Sequence, residues 1–286
     1  MHDSSRPSST TLGVIAEIHF APDDTAPVRW HNVVHLDRTR ELLDRAIEYF
    51  CDQRLDALVL LGDLSNAADP ESLRYVRDRV ASLNVPVLVV PGNHDIDAHP
   101  LSRDRFRDHL SADQFAVAPA SMTLTHEVDA TLVEIQRDAQ TGRLASSRLS
   151  WNAGPAKSLH AVFTHFPLKD MEPELTDADL KHAGDLSDRE SLWSQLLQAE
   201  SPVVVVHGHL HVRAASTEGR LLHLSCGALV EPPHEVSVLR ITTLANRDLR
   251  VDRTAHAVWE SPVEKSPVLS PAHESWRFAD GHWNRV

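Results

Sequence analysis

Residues 85–95 read VPVLVVPGNHD, an apolar run that leads directly into Gly92, Asn93, His94 and Asp95. A short, continuous run rich in β-branched residues is typical of a strand that is buried on both faces. Four more runs of this kind lead into polar turns with glycine, histidine or acidic residues, at 11–16, 57–61, 159–164 and 202–206. Each turn is therefore a candidate ligand loop at the end of a buried strand.

Helical patterns separate these apolar runs. Apolar residues recur at helical spacing over 36–50, where Asp37 is the predicted cap. An acidic residue followed by proline predicts the start of a helix over 69–83. Residues 187–190 read SDRE, the capping-box pattern that opens a helix. Strands that alternate with helices in this way predict an α/β core.

Other parts of the chain depart from this alternation. Residues 122–137 alternate polar and apolar side chains and so predict antiparallel strand, and three further runs predict a second sheet, at 220–225, 236–242 and 249–253. The polar residues 1–10 predict a disordered N-terminus, and the proline and serine of residues 261–286 predict an irregular C-terminal tail. No linker divides residues 11–260, so we expect a single domain there.

Composition limits the functions that the chain can have. The 286 residues include 28 Lys and Arg against 41 Asp and Glu, a formal charge of −13, and there is no basic run to bind duplex nucleic acid. Residues 1–10 lack the apolar core of a signal peptide, and no apolar stretch approaches the roughly 18 residues of a membrane span. We therefore expect a cytoplasmic protein that binds neither duplex nucleic acid nor membrane.

Histidine is abundant, with 19 residues, whereas Cys51 and Cys226 are the only cysteines. Two cysteines are too few for a thiolate metal site, so a metal centre would need imidazole and carboxylate ligands. Residues with such groups, and one asparagine, follow the predicted strands: Glu17, His19, Asp63, Asn93, His94, Asp95, His165, His209 and His211. Ligands bind beyond the carboxyl ends of strands in α/β sheets, so these loops can converge. Their donors suit two ions of Mn, Fe or Zn.

The order of these residues resembles that of the calcineurin-like metallophosphoesterase family. The family pattern is D-x-H, G-D, G-N-H-[DE], H and G-H-x-H, and this chain has EIH at 17–19, GD at 62–63, GNHD at 92–95, His165 and GHLH at 208–211. One such motif is weak evidence, but five in order, within residues 11 to about 240, are specific. The resemblance implies an α/β fold, a four-layer α/β/β/α sandwich with two mixed β-sheets flanked by helices.

The resemblance also implies a role for each matching residue. It assigns Glu17, His19 and His211 to a first metal, Asn93, His165 and His209 to a second metal, and Asp63 to both. His94 would face the substrate and either donate a proton to the leaving oxygen or stabilise charge on the phosphoryl group. Asp95 would orient His94 or a ligand imidazole.

Position 17 departs from the family pattern, because Glu17 stands where the family has Asp. The side chain is one methylene longer. Its carboxylate could reach the first metal with a shifted backbone, could bind differently, or could leave the first metal site weak and half occupied.

The layout is similar to that of the compact bacterial branch with class III cyclic nucleotide phosphodiesterases and glycerophosphodiesterases. Residues 62–67 read GDLSNA and lack the arginine that follows this motif in the family's protein phosphatases. The resemblance implies hydrolysis of small phosphodiesters by in-line attack of a metal-bound hydroxide at a dinuclear centre. Two alternatives stay open: a phosphomonoesterase or other ester hydrolase with a reshaped first metal site, and a non-catalytic metal-binding or regulatory module.

The remaining residues are interpreted more simply. His207 is expected in the core or behind the site, and Cys226 is expected to pack as a small apolar residue. Trp30, His31 and His35 are expected in a solvent-exposed loop, with the rim of a substrate pocket as the alternative. Seven other histidines are expected to be surface or hydrogen-bonded residues, namely His2, His99, His109, His126, His234, His256 and His273. No pattern identifies substrate-binding residues. The resemblance also implies a possible homodimer, with residues 122–137 or the C-terminal tail as the interface.

Overall fold

The computed structural model describes residues 8–96, 103–110, 113–137, 143–146, 159–246 and 248–286. In chain order its strands are β1 (Ser9–Ile15), β2 (Val28–Arg29), β3 (Val33–Val34), β4 (Ala57–Leu60), β5 (Val87–Val89), β6 (Phe115–Val117), β7 (Ala120–Thr123), β8 (Val128–Leu132), β9 (Ile135–Arg137), β10 (Leu144–Ser146), β11 (Leu159–Thr164), β12 (Val203–His207), β13 (Ala214–Glu218), β14 (Leu221–Ser225), β15 (Glu235–Thr243), β16 (Leu249–Ala257), β17 (His273–Ala279) and β18 (His282–Arg285). Its helices are α1 (Thr39–Cys51), α2 (Pro70–Ala81), α3 (Asn93–Ile96), α4 (Arg103–Leu110), α5 (Glu172–Asp177) and α6 (Arg189–Leu197).

Two large mixed sheets organise these elements. The first has eight strands in the order β18-β17-β16-β15-β1-β4-β5-β6, and the second has six in the order β13-β14-β12-β11-β8-β7. Strands β1, β4, β5 and β6 are parallel neighbours, as are β8, β11, β12 and β14. The predicted buried strands are confirmed, and they form the parallel centre of each sheet.

The side chains of each sheet alternate between an inner and an outer core. On β1, Val14 packs in the inner core with Phe163 of β11, whereas Ile15 packs in an outer core with residues of α1 and α2. On the second sheet, Val162 faces a separate outer core with Leu192 of α6. Helices therefore cover both outer faces, which confirms the predicted four-layer α/β/β/α sandwich.

The start of α2 is confirmed and the predicted cap of α1 is wrong. The Asp69 side chain accepts a hydrogen bond of 2.7 Å from the backbone N–H of Ser72, and Pro70 occupies the first turn. Before α1, residues Leu36–Arg38 form a 3₁₀ turn, and Arg38 takes the capping position without a side-chain bond. Asp37 lies inside that extra turn, so its carboxylate cannot cap α1.

The predicted capping box at 187–190 is also wrong. Helix α6 begins at Arg189 after Asp188, whose side chain makes no capping bond. The Asp188 carboxylate instead accepts hydrogen bonds from the hydroxyl of Ser146 at 2.6 Å and from its backbone N–H at 3.0 Å. The pattern predicts Ser187 as the cap, but its backbone N–H, which Glu190 would bond, donates instead to the carbonyl oxygen of Leu144 on β10 at 2.9 Å.

The predicted strand over 122–137 is broken into three pieces. Strands β7 and β8 form the antiparallel pair that the alternation predicts. After β8 the chain leaves the six-stranded sheet, and β9 pairs with β10 in a separate two-stranded ribbon. The ribbon forms one side of a cleft beside Asn93 and His209.

The two chain ends differ from the sequence prediction. Residues 9–10 belong to β1, so the predicted disorder of 1–10 is wrong there, and residues 1–7 lie outside the described part of the chain. The prediction of an irregular C-terminal tail is wrong for β17 and β18, because these strands extend the eight-stranded sheet beyond β16. Trp276 and Trp283 explain the difference, since both are buried in the inner core behind the proline-rich stretch. Among the described residues, no helix is long and apolar enough to span a membrane.

Candidate metal centre

The candidate ligands meet where the parallel strands of both sheets end. Glu17 and His19 follow β1, Asp63 follows β4, and α3 begins at Asn93 after β5. From the second sheet, His165 follows β11, and His209 and His211 follow β12. Parallel strands place their carboxyl ends at one edge of each sheet, so stacking the two sheets brings these loops together.

Five of these residues have a left-handed backbone conformation: Glu17 (φ 57°), His19 (φ 44°), Asp63 (φ 49°), His209 (φ 65°) and His211 (φ 56°). For residues other than glycine this conformation costs on the order of 1–3 kcal/mol each, and it persists where the surrounding structure imposes it, often at functional sites. The strain is concentrated in the loops that carry the metal-binding motifs.

Two motif glycines leave room for the acidic residues of the site. A Cβ atom on Gly92 would collide with the Asp63 carboxylate. A Cβ atom on Gly208 would lie 2.5 Å from Oε1 of Glu17. Glycine is needed at these positions because the backbone itself forms the wall against which each carboxylate packs.

The first cluster contains Glu17, His19 and His211. Oε2 of Glu17 lies 3.2 Å from Nε2 of His19 and 3.2 Å from Nε2 of His211. Oε1 of Glu17 accepts a hydrogen bond from the backbone N–H of His209. Glu17 is fully buried, so one carboxylate oxygen is anchored by the backbone while the other faces the two imidazoles.

The second cluster contains Asn93, His165 and His209. Nε2 of His165 lies 3.1 Å from Oδ1 of Asn93 and 3.2 Å from Nδ1 of His209. Asp63 lies between the two clusters, because its Oδ2 is 3.4 Å from Nε2 of His165 and 3.5 Å from Nε2 of His19. The structure thus brings together all seven predicted ligand residues, and it places Asp63 where a bridging residue would lie.

These separations fit two divalent ions. Nitrogen and oxygen ligands lie about 2.0–2.2 Å from a bound ion, so neighbouring ligands around one ion are about 3.0–3.5 Å apart. The donor atoms within each cluster are already separated by such distances, and they are imidazole nitrogens and carboxylate or amide oxygens. Three sets of ligand atoms lie close enough together to hold an ion: Glu17, His19 and His211; His19, Asp63 and His94; Asp63, His165 and His209.

Electrostatics in the metal-free site show how strongly it favours positive charge. Burial lowers the pKa of His165 and of His211, but the nearby carboxylates outweigh it and raise these pKa values to about 9 and about 10. Burial raises the pKa of Glu17, but the charge of His165 and hydrogen bonds from the imidazoles outweigh it and hold that pKa well below its usual value. Cations therefore compensate the buried carboxylates, the role that metal ions would take.

Three imidazoles of the site have one ring nitrogen held by the protein. Nδ1 of His165 lies 2.8 Å from the carbonyl oxygen of Leu61, and Nδ1 of His94 lies 2.8 Å from the carbonyl oxygen of Asn66. Nδ1 of His211 lies 2.7 Å from the carboxylate of Glu231. In each ring the second nitrogen is left to face the centre.

Glu231 is a residue of the site that the sequence patterns missed. It follows β14, the next parallel neighbour of β12, and it is fully buried. None of the motifs includes it. The signal that could have found it is an acidic residue shortly after a further strand, since the same rule identifies Asp63.

His94 lies beside the first cluster. Its ring centroid is 4.6 Å from that of His19, and its backbone N–H donates a hydrogen bond of 2.8 Å to Oδ1 of Asp63. The ring is partly exposed and lines a pocket next to the ligands. This geometry allows His94 to contact a bound substrate.

Asp95 does not contact an imidazole as the sequence predicts. Its fully buried carboxylate accepts hydrogen bonds from the backbone N–H groups of Leu64, Ser65 and Gly92 at 2.9–3.1 Å. Burial and the charge of Asp63 raise its pKa to about 6. The predicted orientation of His94 by Asp95 is wrong, because the carboxylate instead ties the loop after β4 to the loop after β5.

Other histidines and Cys226 lie partly where the sequence predicts. His207 is fully buried and Cys226 packs in the inner core, as expected. The exposed loop predicted around His31 is wrong, because this ring is buried with Nε2 2.9 Å from the carbonyl oxygen of Leu210. His234 is buried and hydrogen-bonded through both nitrogens, whereas His2 and His99 lie outside the described residues.

Two spaces adjoin the metal clusters. A pocket of about 300 Å³ extends from His19 and His94 to Trp30 on the loop between β2 and β3. A cleft of about 780 Å³ extends along the β9–β10 ribbon and the start of α6. Both spaces are lined by Asn93 and His209, so the clusters lie at the junction between them.

The sequence profile of one protein family matches residues 10–213, more than half of the chain, and its description is calcineurin-like phosphoesterase. The chain belongs to the calcineurin-like phosphoesterase family. Members of this family hydrolyse phosphoesters, and the two clusters of this phosphoesterase have the donor set of a metal-dependent hydrolase.

Two similar proteins agree with this membership, and a third shares the fold. A probable glycerophosphodiester phosphodiesterase from Arcobacter nitrofigilis is 25% identical over 215 residues, which cover 72% of this chain and 71% of that protein. A probable cyclic nucleotide phosphodiesterase from Synechococcus is 26% identical over 176 residues, which cover 60% of this chain and 64% of that protein. The crystal structure of a dimetal phosphatase from Danio rerio shares the fold, with a TM-score of 0.63, 16% identity, and coverage of 88% of this chain and 97% of that one.

Proposed function

We propose that this phosphoesterase hydrolyses small phosphodiesters, of glycerophosphodiester or cyclic nucleotide type, with two ions of Mn, Fe or Zn. The observation that carries the proposal is the position of the metal clusters between two separate spaces. An acyclic phosphodiester such as a glycerophosphodiester has two separate ester arms, whereas both ester oxygens of a cyclic nucleotide belong to one ribose, so this observation favours the acyclic type. A phosphate bound at the clusters could place one arm in the pocket beside His94 and the other in the cleft beside His209, whereas a monoester would use one space.

The ligand assignment follows the contacts in the two clusters. We assign Glu17, His19 and His211 to the first metal, Asn93, His165 and His209 to the second, and Asp63 to both. When bound, two such ions would neutralise phosphoryl charge and generate a nucleophile from water near neutral pH. The protein's own task is to hold these ligands in place, and the strained loop conformations and buried anchors support that role.

His94 is the residue that we assign to proton transfer. Its Nδ1 is held by the carbonyl oxygen of Asn66, so Nε2 is the nitrogen left for a substrate in the pocket. An alkoxide leaving group needs a proton far more than a nitrophenolate does. A positioned general acid contributes about 10²–10⁴-fold to such a step.

The test compares substrates and variants in the presence of Mn²⁺. Wild-type protein should have a higher kcat/KM for bis(4-nitrophenyl) phosphate than for 4-nitrophenyl phosphate, and it should cleave a glycerophosphodiester. In His94→Asn, kcat for the glycerophosphodiester should fall about 10²–10⁴-fold, while the nitrophenyl diester should lose less.

Metal content provides the control, because His94→Asn should still hold two ions per chain. Preference for the monoester in wild type would instead support a phosphomonoesterase. Absence of turnover with both metal sites filled would support the non-catalytic alternative. Equal losses for the two diesters in His94→Asn would remove the proton-transfer role.

A further inference from the structure

The first cluster depends on residues that lie behind it. His211 has Nε2 3.2 Å from Glu17 and Nδ1 2.7 Å from Oε2 of Glu231. Its ring is therefore held between two carboxylates, one on the metal side and one on the far side. Glu231 lies outside residues 10–213, the part of the chain that matches the family.

The second oxygen of Glu231 is also occupied. Oε1 accepts a hydrogen bond from the backbone N–H of Asn32, in the turn between β2 and β3. Both residues are buried, so loss of either bond would leave a buried polar group without its partner. Oε2 of Glu231 thus holds the His211 imidazole, and the bond from Asn32 to Oε1 holds the Glu231 carboxylate itself in place.

Asn32 in turn is joined to the C-terminal part of the chain. Its Oδ1 accepts hydrogen bonds from the backbone N–H groups of Glu264 at 2.7 Å and Lys265 at 3.0 Å. Its Nδ2 donates a hydrogen bond of 3.0 Å to the carbonyl oxygen of Lys265. An aspartate could not make the last of these bonds, so the amide is chemically matched to this backbone.

We propose that Glu231 and Asn32 are positioning residues for the first metal site. Glu231 holds the His211 ring with Nε2 towards the metal position, and Asn32 holds Glu231 while joining it to the segment at 264–265. The inference rests on the metal assignment in the proposed function. It adds a support for the site that the family motifs do not contain.

Glu231 would act by fixing the tautomer and the orientation of the His211 ring. An imidazole that donates its outer N–H to a carboxylate presents the other nitrogen as a lone pair in a fixed direction, and loss of such a partner lowers metal affinity about 10–100-fold. His165 in the second cluster is held by the carbonyl oxygen of Leu61 instead. Removal of Glu231 should therefore weaken the first site alone.

The test is a Mn²⁺ titration of the metal-depleted full chain, with bound ion measured by electron paramagnetic resonance and no substrate present. Wild type should bind two equivalents. In Glu231→Gln the affinity of one equivalent should fall about 10–100-fold while the other is unchanged. Glu231→Gln keeps the volume and one acceptor oxygen, and circular dichroism checks that it folds.

A matched control is Glu264→Gln, which removes the charge of an exposed carboxylate paired with Arg29 but keeps the backbone N–H that bonds to Asn32. It should bind both equivalents as wild type does. Asn32→Ala, a second variant, keeps its own backbone N–H but loses the bonds to 264–265. It should weaken the same equivalent by about 10-fold or less.

Activity at saturating Mn²⁺ separates positioning from general damage. If Glu231 only positions His211, kcat of Glu231→Gln should recover when enough Mn²⁺ fills the weakened site. Binding of both equivalents with unchanged affinity in Glu231→Gln would overturn the proposal, as would equal weakening of both. Because the titration needs no substrate, it can succeed even if no phosphodiester is hydrolysed.

Discussion

The two metal clusters are supported in different ways. In the second cluster, His165 is held by the backbone carbonyl of Leu61 at the end of β4, and every residue agrees with the family motifs. In the first cluster, His211 is held by the side chain of Glu231, and Glu17 replaces the family's Asp. The sheet fixes the position of a backbone carbonyl at a strand end, and any side chain at that residue leaves the carbonyl in place. A carboxylate that holds a ligand ring is instead lost when its one residue is substituted.

This difference indicates where the site can vary. A ligand held by sheet backbone is insensitive to most substitutions nearby. A ligand held by buried side chains can change together with them, as the longer Glu17 and its bond from the His209 backbone illustrate. We therefore expect substitutions to separate the two sites, with the first being the more easily lost.

The largest effect should come from the residue that the clusters share. In Asp63→Asn, the loss of the bridging charge should release both ions and lower kcat/KM on the order of 10³-fold or more. Asparagine can still accept the bond from the His94 backbone, so the loop should keep its shape. Metal analysis and bis(4-nitrophenyl) phosphate hydrolysis measure the two effects. Retention of one tightly bound ion would show that the clusters are independent, and Asp63 would not bridge them.

A smaller and selective effect is expected for Glu17→Asp, which restores the family residue. The shorter side chain cannot reach both the His209 backbone and the two imidazoles, and a misplacement of about 1 Å can cost about 10²-fold. Mn²⁺ affinity should fall by this order for one equivalent, with a smaller loss for the other, because Glu17 also anchors the backbone of His209 in the second cluster. Asn93→Ala is the matched variant, and it should weaken the other equivalent. Tighter binding in Glu17→Asp would mean that the glutamate is a defect rather than an adapted ligand.

The smallest expected difference between the two sites lies in how their metal affinity depends on pH. Metal binding must displace the proton of each imidazole, so affinity should rise about tenfold per pH unit until that imidazole is neutral. The pKa of His165 is raised to about 9 and that of His211 to about 10 in the metal-free site. In chelator-buffered titrations between pH 7 and 9.5, affinity for the second site should level off first. If the affinities of both sites stopped rising at the same pH, the two sites would not differ in this way.

The same raised pKa values affect the metal-free fold. The folded state binds these protons more tightly than the unfolded state, in which histidine titrates near 6.5. The stabilisation is therefore complete below about pH 6.5 and is lost as pH rises through 9 and 10. Thermal unfolding of the metal-depleted protein should accordingly occur at lower temperature at pH 9 than at pH 6.5.

Much of this arrangement could be predicted from the sequence. The apolar runs identify the buried strands because burial on both faces requires continuous apolar residues, and the motif residues directly follow them. The failures share a cause. Asp188 stands at the capping position in place of the predicted Ser187 and bonds to Ser146, and Asp95 bonds to three backbone N–H groups rather than to His94. A short polar side chain takes the partner that the fold brings near, and that partner is distant in sequence.

The sequence by itself determined the α/β core, the strand ends and the polar residues that follow those ends, because local periodicity and motif spacing encode them directly. The tertiary structure decided which groups support those residues. Glu231, Asn32 and the segment at 264–265 are far apart along the chain and belong to no pattern. They meet behind His211 only because the two sheets stack, and a buried carboxylate then requires each of its oxygens to be hydrogen-bonded.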